Sequence, residues 1–320
     1  MTGIQAPTFE PNDDPSAATY EWMATIHNAC FPDWPVTADD VRHERESRDP
    51  SKFIERYLVR GQGEVVGYAE TGHLQMSHRE GKYFLHTQIH PDHEEATLAT
   101  LTFLMGRLQQ RGYDHLISYT RTDKSHRIEA LERLGFACLQ KNPDVRLDLE
   151  PFDPSLWTES LTRVAALGYR LVTLEELGDS EDVWRAYYDL DWELMQDVPY
   201  TDSFTKRPFE VWVDQIKTPQ FDPSLFHFAL RGDEWVGMTE CYWSGADHVI
   251  AGTGLTGVRR PHRRVGVATA LKVKALCDLK RRGAKLIRSD NEESNPMLDL
   301  NYRLGFRSTG AWLHYELKVE

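Results

Sequence analysis

The chain is poor in cysteine and has no long apolar run. Its four cysteines, Cys30, Cys138, Cys241 and Cys277, are widely scattered with no CxxC pair. That excludes a disulfide framework and a cysteine-based zinc site, and fits a reducing, cytoplasmic setting. The thirteen histidines and four cysteines form no set of ligand-spaced pairs that could make up a four-ligand site, so no metal is expected. No apolar stretch approaches the ~20 residues of a membrane span. The opening MTGIQAPTFEPNDDPSAA lacks a basic region followed by an apolar one, so neither membrane insertion nor export is expected. Positive charge is outnumbered, 37 Lys and Arg against 50 Asp and Glu for a formal net charge of -13, which argues against nucleic-acid binding over the whole surface.

What is present suffices for burial: 40 % hydrophobic residues, with 13 Tyr, 13 Phe and 9 Trp in 320 residues. That length favours two domains. Part of the positive charge is concentrated, with eleven Lys or Arg against the single Asp278 between positions 259 and 288.

The chain repeats itself. GEVVGYAETG (63–72) reads like GDEWVGMTEC (232–241), and ERLGFACL (132–139) like YRLGFRST (302–309). The offset from Gly67 to Gly237 and from Gly135 to Gly305 is 170 in both cases. Between these anchors each half holds a helix-like stretch ending in Arg-Gly and then a short apolar run, LISYT or LIRSD. The expected division is therefore a domain over 1–150, a linker with a bridging helix over 151–167, and a second domain over 168–320. In the second half RLVTL, LFHFALR and EWVGMTECYW read as strands and SEDVWRAYYDLDWEL as a helix. Over 267–282 another helix is expected, with Leu271, Ala275 and Leu279 on its buried face and Lys272 and Asp278 off it.

That last helix is launched from VRRPHRRVGVATALK (258–272). Arg263, Gly266 and Ala268 spell R-x-x-G-x-A at its start, where unpaired backbone N–H groups and the helix dipole favour an anion and small residues let it approach. Arginines 259, 260, 263 and 264 can add charge-assisted bonds. Helix capping alone would also account for a glycine there.

In its context, between a strand ending at Val258 and a long helix, followed by KLIRS, Asn291, Asn295 and a helix closing in Leu304-Gly305-Phe306, this pattern resembles the GNAT superfamily of N-acyltransferases. The resemblance implies an α/β fold, with an α+β mixed sheet in each of two GNAT-like modules, an arrangement similar to that of mycothiol synthases. It implies acetyl-CoA or another acyl-CoA as co-substrate and a small-molecule amine as acceptor. The pyrophosphate is expected on Arg263, Arg264, Val265, Gly266, Val267, Ala268 and Thr269. Thr256, Gly257 and Val258 are expected to line the pantetheine, with Asn291, Asn295 and Asn301 as further contacts. The first half departs from this pattern: its counterpart stretch, HPDHEEATLATL (90–101), replaces the arginines by His93, Glu94 and Glu95 and has no glycine. Two carboxylates there would repel a pyrophosphate, so CoA is expected in the second half only.

For the chemistry, Glu240 is the candidate base, since strand alternation puts Met238, Glu240 and Tyr242 on one face; an ordinary cross-strand carboxylate is the alternative. Asp197 is a candidate for holding a cationic acceptor, or else a turn aspartate, and Tyr242 a candidate substrate contact. The resemblance places a tyrosine acid four residues before the glycine of Leu-Gly-Phe, but that position is Asn301. Tyr302 lies about 100° further round the helix. Asn295 before Pro296 also reads as a helix cap, and Trp184, Tyr187, Tyr188 and Trp192 read as a core face. Acyl-CoA binding without catalysis is the competing reading.

Overall fold

The computed structural model describes residues 6–319. They form two compact units, one from the chain up to Asn142 with Thr201–Arg207 and the end of the chain from Gly310, the other from Pro143–Tyr200 and Pro208–Thr309. In chain order the elements are β1 (Thr8–Pro11), α1 (Ala17–Cys30), α2 (Ala38–Glu46), β2 (Ile54–Gly61), β3 (Glu64–Gly72), β4 (Lys82–Ile89), α3 (Thr97–Gln109), β5 (His115–Arg121), α4 (Ser125–Arg133) and β6 (Ala137–Asp148). There follow α5 (Thr158–Ala166), β7 (Tyr169–Thr173), α6 (Leu174–Leu177), α7 (Glu181–Met195), α8 (Phe209–Ile216), β8 (Phe226–Arg231), β9 (Glu234–Ser244) and β10 (Ile250–Val258). The chain closes with α9 (Val267–Arg281), β11 (Leu286–Asp290), α10 (Pro296–Arg303) and β12 (Arg307–Lys318).

Each unit is a mixed α/β layer with the same sheet plan. In the first the strand order is β1-β2-β3-β4-β5-β12, in the second β7-β8-β9-β10-β11-β6. Neighbours are antiparallel except one central pair per unit, β4 with β5 and β10 with β11. Both parallel pairs stop early. Pairing ends at Phe84↔Ile117 although β4 runs on to Ile89, and at Gly252↔Arg288 although β10 runs on to Val258. Beyond those points the central strands have no ladder between them.

The helices begin where local chemistry dictates. Ser16 and Ser180 cap α1 and α7, each accepting a backbone N–H three residues on, and Thr37 with Asp40 forms a capping box on α2. In the second unit Tyr187, Leu190, Trp212 and Phe228 are at most 1 % exposed and pack in one core. The aromatic run on α7 is therefore largely core, as its spacing implies.

The compact units are not contiguous in sequence. The terminal strand β12 pairs with β5 through Trp312↔Arg121 to Lys318↔His115 and so completes the first unit. Residues 144–148 of β6 pair with β11 inside the second. Each half thus sends part of its last strand into the unit built mainly from the other half, which the contiguous boundaries at 150 and 168 do not anticipate. An exposed edge beside a central parallel pair must be covered, and the repeat cannot say which copy's strand covers it. The bridging helix, α5, belongs to the second unit, where Val164 packs with Val267, Ala270 and Leu271 of α9. The face assignment of α9 needs correction as well: Lys272 and Asp278 are buried, the latter accepting from His227 Nε2 at 2.8 Å.

Candidate functional site

The site is built around β10 of the second unit. Cys241 faces Thr253 and Thr239 faces Thr256, so the two residues between on β10, Gly254 and Leu255, oppose the single Glu240 on β9. This is a β-bulge, which removes backbone groups from the ladder and re-aims them. Glu240 holds it in place: Oε2 accepts the Leu255 N–H at 2.8 Å and Oε1 accepts the Tyr187 hydroxyl. A side chain at Gly254 would run into that carboxylate. Glu240 is 7 % exposed, so both its oxygens are engaged inside the protein. In the first unit the equivalent strands pair from Gly67↔Ile89 to Gly72↔Phe84 without a register shift. The bulge belongs to one unit only.

Past the bulge, Thr256, Gly257 and Val258 pair with β9 on one edge, while the β11 ladder has already ended at Gly252. Leu194 of α7 packs against Gly257, and the Thr256 and Thr239 hydroxyls are 2.7 Å apart. At the apex of the splay Thr253 Oγ1 donates to Ser289 Oγ at 2.7 Å, and Asn301 Nδ2 donates to Ser289 Oγ and to Asn291 Oδ1. Asn301 is completely buried, and its Oδ1 has no hydrogen-bond partner. Asn291 and Asn301 thus bond each other. Asn295 accepts from the Met297 N–H as the cap of α10. Tyr302 is 43 % exposed, on the outer side of that helix. Tyr242 lays its ring over Gly252 and donates to the Thr253 carbonyl at 3.4 Å, and burial pushes its phenol up. Cys241 is buried, which pushes its thiol up to about 12 and leaves it a poor nucleophile.

The stretch before α9 forms a turn with two left-handed residues, Arg264 at φ 66° and Gly266 at φ 102°. Gly266 is the N-cap of α9 and no side chain caps the helix. The first-turn N–H groups of Val267, Ala268 and Thr269 therefore have neither a preceding turn nor a capping oxygen to bond. Val265 packs beside Val267, whose side chain is buried. Among the described residues, positions 90–97 contain no positive φ, so the corresponding turn in the first unit lacks this shape.

The arginines divide into two groups. Arg260 and Arg263 both bind Asp197, and Arg263 Nε also donates to the Val258 carbonyl at 2.7 Å. Arg259 lies 3.0 Å from a Glu193 oxygen. The expectation that Asp197 holds a cationic acceptor is corrected here: two guanidiniums already occupy its carboxylate, and the Arg260 hydrogen bond above all holds it below the usual range. Arg264 is exposed and makes no such pair. Arg163 joins it. This residue of α5 is exposed, and its Nη2 would be 2.9 Å from a Cβ at Gly266. Sequence reasoning missed it because it lies about a hundred residues from the turn, and only the packing of Val164 on α9 brings it there.

In the first unit, His73, His78 and Glu80 bring one ligand-type atom each to within 4.8 Å of one another, a grouping not legible from spacing. No helix among the described residues is long and apolar enough to cross a membrane.

No protein-family model matches the chain, and no curated protein resembles it closely enough to match. Solved structures do. A tandem GNAT protein from the clavulanic acid biosynthesis pathway, determined without acetyl-CoA, is 18 % identical with a TM-score of 0.72, over 98 % of both chains. A GCN5-related N-acetyltransferase from Sphaerobacter thermophilus is 21 % identical with a TM-score of 0.66, over 97 % of this chain and 95 % of the other. An acetyltransferase of the GNAT family from Colwellia psychrerythraea gives 13 % and 0.59, over 97 % of this chain and all of the other. Two units of one sheet plan, matched over nearly the whole length, give this chain the tandem GNAT fold.

Proposed function

We propose that the protein is an acyl-CoA-dependent N-acyltransferase that acylates the amine of a small molecule, with acetyl-CoA bound by the second unit. The observation that carries this reading is the bulge at Gly254-Leu255 beside the unpaired edge of β10, which presents backbone groups to a thioester and a pantetheine arm. The residues at hand fit the rest of that co-substrate. The uncapped start of α9 suits a pyrophosphate, and Arg264 and Arg163 supply cations that no carboxylate among the described residues pairs with. Arg263 serves this site by positioning: it ties the turn to Val258 and to Asp197.

When bound, the co-substrate supplies the acyl group and a thiolate leaving group. The chain's part is to orient the carbonyl through the bulge, shield it from water and move a proton. Glu240, with both oxygens engaged, works chiefly by fixing the bulge; the amine's proton leaves through water or through the Tyr187–Glu240 pair. With Asn301 in place of a phenol, the departing thiolate takes its proton from solvent.

The same two features, an occupied Glu240 and an Asn301 without acidity, favour acyl-CoA binding without turnover as the second reading. Calorimetry with acetyl-CoA, followed by thiol release across a panel of amines, decides between them. One CoA bound per chain and thiol release with some amine is the expected result. Binding without release on any amine leaves the second reading, and two equivalents of CoA per chain overturn the assignment to one unit.

A further inference from the structure

We propose that the first unit binds a small organic anion, a carboxylate on an aromatic or apolar body, in a cavity between α1, α2 and its sheet. The cavity measures about 560 Å³, within the range of small-molecule sites, ~300–1,000 Å³. Its floor includes Glu70 and His86, which face each other across β3 and β4, and its roof includes Phe31, Val41 and Glu44.

The second unit shows why this space is open. Glu70 and Glu240 are repeat equivalents, 170 positions apart. Above Glu240 the space is solid, because Tyr187 reaches its carboxylate and Trp212 and Phe228 pack behind. Counted from the N-cap serines, Ser16 and Ser180, the position of Tyr187 is held in the first unit by Met23, which lines the cavity. One unit fills with aromatic side chains the room that the other keeps.

The cavity is not arranged for acyl-CoA. Strand β4 has no bulge, and the gap beyond Phe84↔Ile117 is laced shut by Arg127. Its guanidinium donates to the Thr87 carbonyl and hydroxyl and, at 3.0 Å, to Ser118 Oγ. Glu94 and Glu95 stand in the turn that leads into α3.

Charge selects the ligand. Arg45, Arg48, Arg56, Lys124 and Arg127 line the cavity against Asp40, Glu44, Glu70 and Glu94, five positive charges to four negative. Glu70 is shared between Arg45 at 3.2 Å and Arg56 at 3.3 Å. The Nε atoms of Arg48 and Arg127 are buried without a hydrogen-bond partner. His86 adds no charge at neutral pH, burial pushing it down to about 3. An excess of enclosed positive charge is costly unless an anion meets it. The rest of the wall, Phe31, Trp34, Phe84 and Trp312 among it, suits an aromatic or apolar body.

The test is calorimetry on the full chain saturated with acetyl-CoA, using a series of arylalkyl carboxylates led by 3-phenylpropionate and the matched amines led by 2-phenylethylamine. The carboxylates are expected to bind and the amines not, with no competition from CoA. Arg48→Gln should raise Kd about tenfold or more, as loss of a charged hydrogen-bond donor does. Met23→Tyr, which copies the second unit's filler into the first, should abolish binding while the chain stays folded by circular dichroism. It decides the matter if Arg48→Gln does not fold. Preferential amine binding, no binding by either series, displacement by acetyl-CoA, or unchanged affinity in the variants would each overturn the proposal.

Discussion

Glu240 Oε2 accepts the backbone N–H of Leu255 at 2.8 Å, at the one point where β10 slips register against β9. Replacing Glu240 by Ala takes away the carboxylate that accepts from that N–H and from the Tyr187 hydroxyl. Urea unfolding should show a loss of about 1–3 kcal/mol, together with weaker acetyl-CoA binding in calorimetry. Glu240→Gln keeps one acceptor oxygen and should lose less. Full stability and affinity in the Ala variant would mean that the carboxylate does not hold the bulge.

Gly266 sits at φ 102°, with Arg163 Nη2 2.9 Å from where a side chain would begin. Gly266→Ala should cost about 1–2 kcal/mol for the left-handed backbone and weaken CoA binding by displacing Arg163.

Arg163→Ala and Arg264→Ala should each weaken CoA severalfold and flatten its dependence on ionic strength, since both guanidiniums are exposed and screened by salt. Arg260→Ala serves as the comparison, because Arg260 is 78 % exposed and directed to Asp197; it should change CoA affinity little. Equal losses in all three would mean that CoA reads the general field and not the two unpaired arginines.

Lys272 is buried in α9, and that burial lowers its pKa from 10.5 to about 8. The fold favours the neutral amine, so the penalty is fully present below pH 8, fades as pH rises toward 10.5 and is absent above it. Lys272→Met should therefore raise the thermal unfolding midpoint at pH 7, with a gain that shrinks between pH 8 and 10.5. A gain that does not vary with pH would trace the effect to packing instead.

The exchanged strands make a prediction about fragments. A chain ending at residue 150 lacks β12, so the β5 edge from His115 to Arg121 loses its partner. Such a fragment should fail to show dispersed amide resonances, and so should 168–320, which lacks the 144–148 segment beside β11. Independent folding of either fragment would show that the exchange is not needed for stability.

The sequence by itself determined the duplication, the run of strands and helices in each half and the arginine-rich turn before α9. These rest on signals local to the chain: glycines repeated at a fixed offset, alternation along strands, and small residues before a helix. The contrast between RRPHRRVGVA and HPDHEEATLA also stands in the sequence, since charge is a property of residue type. Tertiary structure alone decided what each charged group is free to do. Asp197 reads as an available acid until Arg260 and Arg263 meet it, and Glu240 as an available base until Leu255 and Tyr187 bond it. Arg163 reads as linker until Val164 docks on α9. The destination of β6 and β12, and the open space beside Met23 where Tyr187 fills its counterpart, depend likewise on contacts between residues far apart in sequence, which no local pattern encodes.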